Sequence, residues 1–469
     1  MTDTSPKPQP QPPASGRALA ASTGLGKRGV LAWAMWDWGS QPFNTVITTF
    51  VFAVYITSAS FGDTDSTSKA LSVSTTVAGL IIACVAPVLG QNADRSGRAV
   101  RNLRWLTWLL ALLSAALFFV APQQRLLWLG LGLLGLGSIV SEIASVNYNS
   151  LLNRVAVASN VGKVSGFGWG MGYLGGILVL IAIYFLLVQP ETLIFGIPNT
   201  DSIGIRIAML VCGLWTLVFT IPTFLVLRDP PRQAKTKASK TTVAQAYAAL
   251  FRTIGRLWRQ QRQTAYFLLA SALFRDGLAG VFAFGAVIAA GTFGFSAAEV
   301  VIFGAAANIV AGLATMTVGL LDDRIGPKAV IMGSLIILVF SGCMVFFLYD
   351  RGQIVFWIFG MLMSACVGPA QSASRSFLAR LVPEGHNGEI FGLYATTGRV
   401  VSFLSPAAFG LMITIGTVVQ ADGTAQHWGI LGIVAVLAAG LIVMAPVRPA
   451  AEHTAIESDP PSGAFAPVL

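Results

Sequence analysis

The sequence predicts an all-α membrane protein: twelve transmembrane helices arranged as two six-helix, pseudo-symmetric halves. Two observations carry that prediction. Hydrophobic residues fill 55% of the 469 positions and charged residues only 11%, where a soluble domain carries about 25% charged residues. In addition, one pattern, G-x-x-x-D-R-x-G, occurs twice: as Gly90, Asp94, Arg95 and Gly97, followed by Arg98, and as Gly319, Asp323, Arg324 and Gly326, followed by Lys328. Each copy ends one apolar segment and precedes another, so the pair marks an internal duplication of the kind built into many transporters. Each copy reads as a tight polar turn, with Gly supplying the bend and Asp able to cap a helix start.

Taken in order, residues 1–27 are rich in Pro, Ser and Ala and lack the apolar core of a signal peptide, which predicts a disordered cytoplasmic tail. Crossing about 30 Å of hydrocarbon takes about 20 apolar residues. Six such spans fall in the N-terminal half, 28–228, near 30–58, 70–91, 103–121, 126–149, 164–189 and 205–227. A cytoplasmic linker, 229–263, follows. In it Val243, Tyr247, Leu250, Ile254, Leu257 and Trp258 recur at helical spacing while Arg252, Arg256 and Arg259 fall elsewhere, as expected of an amphipathic helix on the inner leaflet. A partner-binding helix is the alternative. The C-terminal half, 264–447, has spans near 264–292, 297–321, 329–348, 353–379, 389–416 and 427–447. Residues 448–469 carry Pro, Ser and acids and predict a second disordered cytoplasmic tail.

Orientation follows from the bases. The tails and the even-to-odd connections hold 23 of the 30 Lys and Arg, against four on the opposite side. The positive-inside rule then places both termini and the linker in the cytoplasm of a multi-pass plasma (inner) membrane protein. Because these bases belong to loops facing lipid headgroups, the net charge of +10 does not indicate nucleic acid.

Ionisable side chains inside the membrane are costly, so each is a functional candidate. Asp37, Gln41, Asn44 and Thr48 share one face of helix 1, and Ser138, Glu142, Ser145 and Asn149 share one face of helix 4. Helix 10 repeats the pattern with Ser364, Gly368, Gln371 and Arg375, and helix 7 offers Ser271, Arg275 and Asp276. With Arg399 these stripes predict an aqueous cavity between the halves, with Asp37 and Glu142 at one depth. Buried ion pairs that fix helix packing are the alternative, above all for Arg275 with Asp276.

Other features carry less. The two G-x-G-x-x-G stretches beginning at Gly130 and Gly170 lie in apolar spans and follow no strand, so they read as close-packing surfaces, with Gly166, Gly168, Gly170, Gly172 and Gly176 on helix 5. Trp33, Trp36, Trp38 and Trp105 read as interfacial anchors. The four cysteines lack metal-ligand spacing, and His386, His427 and His453 lie in loops or tails. No nucleophile–base or metal constellation is present, so neither an enzyme nor a bound metal or cofactor is expected.

Twelve helices with paired G-x-x-x-D-R-x-G loops resemble the major facilitator superfamily. Helix 1 reads Trp33-Ala-Met-Trp36-Asp37-Trp38-Gly-Ser-Gln-Pro-Phe43, similar to a W-x-x-Y-D-W-A-N-S-x-F signature, and Phe274-Arg275-Asp276-Gly277 resembles Y-R-D-G. Gly368-Pro-Ala-Gln371-Ser-Ala-Ser374-Arg375-Ser376 and Phe391-Gly392-Leu393-Tyr394 complete a pattern like that of the vacuolar-effluxer-like family, bacterial branch. The chain departs from it at Ser40-Gln41, and at Asn153 where Pro is expected.

The resemblance implies a secondary transporter, with amino-acid efflux assigned to fungal members. The expectation is a monomeric, proton-coupled carrier of a small solute such as an amino acid or related metabolite, with export one of its two candidate directions. Asp37 or Glu142 is the titrating carboxylate, with Asp37 preferred, and Arg275, Arg375 or Arg399 is its partner. Drug or lipid-like-molecule export, and a non-transporting receptor or assembly factor, are the alternatives.

Overall fold

The computed structural model describes residues 26–448 except 63, 158, 194–195, 230–254, 256–257, 260–261, 383–385 and 420–424. The tail before Gly26, most of the linker with its expected amphipathic helix, and the tail beyond Arg448 lie outside the described residues. Among the described residues, twelve long helical segments make up the bundle. In the first half they are α1 (Gly26–Pro42, continued by Phe43–Phe50 and Phe52–Ile56), α2 (Thr64–Ser96), α3 (Ala99–Ala116), α4 (Leu127–Ser150), α5 (Val161–Ile183) and α6 (Ile203–Val226). In the second they are α7 (Arg262–Gly291), α8 (Ala297–Ile325), α9 (Pro327–Phe347), α10 (Gln353–Leu381), α11 (Asn387–Val401, then Leu404–Val419) and α12 (Gly429–Met444). Among the described residues ten segments are long and apolar enough to cross a membrane by themselves. The other two are α1, interrupted by a wider turn, and α2, whose apolar stretch Val73–Ala86 is shorter than the helix. Leu80, Leu112, Trp128, Leu225, Val418 and Ile442 stay exposed, as suits side chains facing lipid.

The interruption of α1 has a local cause. Pro42 has no N–H to give the carbonyl of Trp38, and its ring crowds that oxygen. The backbone relaxes into π-helical turns over Phe43–Phe50. The freed Trp38 carbonyl accepts the indole N–H of Trp215 at 3.3 Å instead.

Packing within the halves follows one scheme twice. In the first, α1 lies on α5 and α6, α2 on α4, and α3 on α4 and α6; in the second, α7 lies on α11 and α12, α8 on α10, and α9 on α10 and α12. The halves meet where α5 packs on α8 and α10, and where α11 packs on α2 and α4. Each contact has its counterpart, which is pseudo-two-fold symmetry. The registers agree as well, since Leu127, Val155 and Val161 correspond to Gln353, Leu381 and Asn387 at a constant offset.

Small residues set the closeness of the α5–α8 seam. A Cβ added at Gly166 would lie 2.9 Å from the Cα of Gly319 and 2.6 Å from the Thr315 carbonyl, so only hydrogen fits there. This corrects one expectation. Gly319 and Gly90 are not bends but lie inside α8 and α2, and the turns are made by Gly326 and Gly97, at φ of +86° and +63°.

All odd-numbered helices start, and all even-numbered ones end, at the end of the bundle that carries Gly26 and Arg448; we call it the basic end. There the apolar core runs without a break through both halves, from Trp33, Ala144 and Tyr148 to Phe267, Phe377 and Phe391. At the far end the first half keeps a core of its own, with Phe43, Phe52, Leu134, Val179 and Met209. The halves are therefore joined at the basic end and part towards the other.

Candidate functional site

At the junction of the halves Arg375 of α10 reaches into the first half. Its Nη1 donates to Asn149 Oδ1 at 3.1 Å and stands 3.5 Å from Asp37 Oδ2. Its Nε donates to Ser165 Oγ at 3.0 Å, and its Nη2 to the Ser165 carbonyl at 2.6 Å. The guanidinium carbon also lies 4.8 Å from the Trp33 ring, 5.6 Å from that of Trp169 and 5.7 Å from that of Tyr148. Asp37 in turn accepts the Tyr148 hydroxyl at 2.8 Å. The residues here are only 4% (Arg375) and 8% (Asp37) exposed, so two charges are withdrawn from water and satisfied by each other and by neutral oxygens. A buried pair of this kind is costly to break on one side alone.

The aromatic setting is rigid. Tyr148 lies between Trp33 and Trp36, with ring centroids 4.4 and 4.3 Å away. Trp33 donates its indole N–H to the Tyr148 carbonyl, and Trp36 donates to Thr107. These two tryptophans, expected at the membrane interface, are buried parts of the site, whereas Trp105 is exposed. Gly168 on α5 leaves room for the charges, since a Cβ there would lie 3.1 Å from both Arg375 Nη2 and Asp37 Oδ2.

Glu142 is occupied elsewhere. Its Oε2 accepts Arg399 Nη2 at 2.7 Å, which joins α4 to α11 in a partly exposed pair across the halves. The expected common depth is thereby corrected. Asp37 is level with Tyr148, six residues and about 9 Å from Glu142 along α4. Arg275 and Asp276 do not pair with each other. Arg275 packs 3.8 Å over the Tyr394 ring and donates to the Tyr394 carbonyl. Asp276 accepts the backbone N–H of Ser405 at 2.7 Å, so it caps the second stretch of the broken helix α11. Gln41, Asn44 and Gln371 use no side-chain hydrogen bond to another described residue, and Asn44 is exposed.

A cleft of about 520 Å³ lies between α1, α2 and α4, further towards the far end. Its walls are Ala53, Val54, Leu71 and Leu134, with the hydroxyls of Thr48, Thr57, Thr75 and Ser138. Each of these hydroxyls donates to a carbonyl of its own helix.

The second G-x-x-x-D-R-x-G copy binds the halves at the basic end. Asp323 accepts the backbone N–H groups of Gly162 and Lys163 at 2.8 Å each, capping α5 of the other half. It also accepts Arg380 Nη2 at 2.9 Å. Asp322 accepts Arg380 Nη1 at 3.0 Å and the Ser376 hydroxyl. Asp323 thus caps a helix start, but not that of the helix that follows it. A Cβ at Gly162 would overlap the Asp322 carboxylate. Arg324 is exposed, and Arg98 sits at the start of α3. The side chains of Asp94 and Arg95, and the surroundings of Gly90, lie outside what is described. Nearby, Asn153, where the family pattern expects Pro, donates to Ala379 O and Asn387 Oδ1 of the second half.

Sequence reasoning missed Tyr148, Ser165, Trp169, Asp322 and Arg380. Tyr148 carried a signal, because a buried tyrosine hydroxyl needs a partner. Among the described residues no group of three or more His, Cys, Asp and Glu could hold a metal ion.

Twelve helices in two interlocked halves, with charges buried at the seam, define a membrane transporter of the major facilitator superfamily. The comparisons agree on that fold: a bacterial homologue of the iron transporter ferroportin in its outward-facing state superposes with a TM-score of 0.64 at 15% identity, covering 89% of this chain and 97% of that one. The proton:xylose symporter XylE gives 0.64 at 15% identity over 92% and 96%. Within the superfamily, the chain belongs to the Vacuole effluxer Atg22 like family, whose model matches residues 153–448. It is 26% identical to YxiO, an uncharacterized MFS-type transporter of Bacillus subtilis, over 88% of this chain and 93% of that protein. Autophagy-related protein 22 of Cryptococcus neoformans is 24% identical over 53% of this chain, and the match spans only 45% of the fungal protein.

Proposed function

We propose that this transporter is a proton-coupled secondary carrier of the plasma membrane, with both chain ends in the cytoplasm, working as a monomer by alternating access. Its cargo is a small polar or amphipathic solute such as an amino acid or related metabolite, moved outward. The observation that carries the reading is the buried contact between Asp37 of one half and Arg375 of the other. A carboxylate whose counter-charge belongs to the opposite half changes company when the halves rock. While the basic end is joined, Arg375 neutralises Asp37; once α10 withdraws, a proton can take that place. The Asp322–Asp323–Arg380 group fastens the basic end in the first state. The excess of bases at that end supports a cytoplasmic assignment, and the family description supports efflux.

The test uses proteoliposomes and a labelled amino-acid mixture. Asp37→Asn is expected to abolish transport driven by a pH gradient while exchange continues at equal, saturating concentrations on the two sides. Full gradient-driven activity in the variant would remove Asp37 from coupling, and loss of exchange even at saturating solute would make it a structural residue.

A further inference from the structure

Arg375 belongs to the second half, yet among the described residues every group that holds its guanidinium belongs to the first: Trp33 and Asp37 on α1, Tyr148 and Asn149 on α4, Ser165 and Trp169 on α5. Three aromatic rings within about 6 Å, of which Tyr148 has both faces covered by Trp33 and Trp36, together with one carboxylate and a set of neutral oxygens around a single cation make up the chemistry by which proteins recognise organic ammonium and guanidinium ligands. The first half therefore contains a complete cation site, and an arginine of its neighbour fills it.

That arginine sits on the element that must leave. It lies five residues from Arg380 on α10, and Arg380 is held by Asp322 and Asp323 at the seam with α5. When α10 separates from α5 the cage keeps its carboxylate and rings and loses its cation, and a buried carboxylate left alone is unfavourable. We infer that this cage is the solute site of the other access state, and that the solute is a small organic cation, an alkylguanidinium or alkylammonium, which takes the place of Arg375. The inference rests on the alternating-access reading above and adds the chemical class of the cargo. A proton on Asp37 and an organic cation beside it compete for one negative charge, which makes the site exchange one for the other.

The probe is ethylguanidinium, titrated by calorimetry into the purified full chain with sodium chloride as control. Arg375→Ala, which empties the cage, is expected to bind the probe saturably, and Trp33→Leu or Asp37→Asn in that background to weaken binding at least about tenfold. Arg380→Ala, which keeps Arg375 but loosens the seam, is expected to bind at least about tenfold more tightly than the unaltered chain. No saturable binding by monodisperse Arg375→Ala protein, or binding indifferent to Asp37→Asn, overturns the inference. Equal binding by Arg380→Ala and the unaltered chain overturns it too, and decides alone should Arg375→Ala fail to fold. The assay needs no flux, so the two readings fail separately: binding without transport refutes the carrier, and transport without binding refutes the cage.

Discussion

Replacing Asp323 by asparagine tests the basic-end junction most directly. The carboxylate spreads its charge over three donors: the N–H groups of Gly162 and Lys163 at 2.8 Å and Arg380 Nη2 at 2.9 Å. An amide of the same shape keeps one acceptor oxygen, turns an NH₂ towards a donor, and loses the charge. Hydrogen bonds to charged groups contribute about 1.5–3 kcal/mol each, and an anion at a helix N-terminus adds about 0.3–1 kcal/mol. Asp323 is 13% exposed and Arg380 22%, so solvent screens little of this. Losing one bond and weakening the others costs the joined state about 3 kcal/mol, a shift of roughly 150-fold in the balance between access states. Spin labels on cysteines at Arg101 and Arg324, both exposed at the basic end of opposite halves, report it by double electron–electron resonance in a background without the native cysteines. The expected result is a second, longer distance population, accompanied by slower transport with the amount of protein in the membrane unchanged. A distance distribution identical to that of the unaltered chain would show that Asp323 holds a local helix end and nothing between the halves.

Two further outcomes follow from other parts of the molecule. A reporter fused after Arg448 should signal cytoplasm and one inserted at Gly196 the outside; the reverse labelling sinks the assignment of the basic end. The Glu142–Arg399 pair is partly exposed, with Arg399 40% and Glu142 23% open to solvent, so Arg399→Gln should lower thermal stability by no more than about 1 kcal/mol. A larger loss would mean that the pair is shielded from water.

Ten of the expected spans and the two halves were legible in the sequence because apolar length and a repeated motif are one-dimensional quantities. Helical spacing likewise identified the face carrying Asp37 and the one carrying Arg375. It did not reveal which faces meet. Arg380 looked like one loop base among many until α8 and α10 brought it between Asp322 and Asp323. Arg275 and Asp276 are neighbours in sequence, but successive side chains on a helix point about 100° apart, and the role of Asp276 depends on a break in α11 between Val401 and Leu404. Depth failed for a similar reason. The chain after Ser150 continues in a further turn, Leu152–Val155, so Glu142 lies deeper than the apolar span alone suggested.

The constant offset between α4 and α10 puts Asn149 and Arg375 at the same register position of the two halves, and these are the residues that touch, at 3.1 Å. Two identical halves would set asparagine against asparagine, with no charge to hold Asp37, or arginine against arginine, with like charges in contact. The contact at the centre of the protein is therefore one that a symmetric ancestor assembled from identical units could not have made. It requires two halves that have diverged from each other, and a protein rebuilt from two copies of either half should lose it.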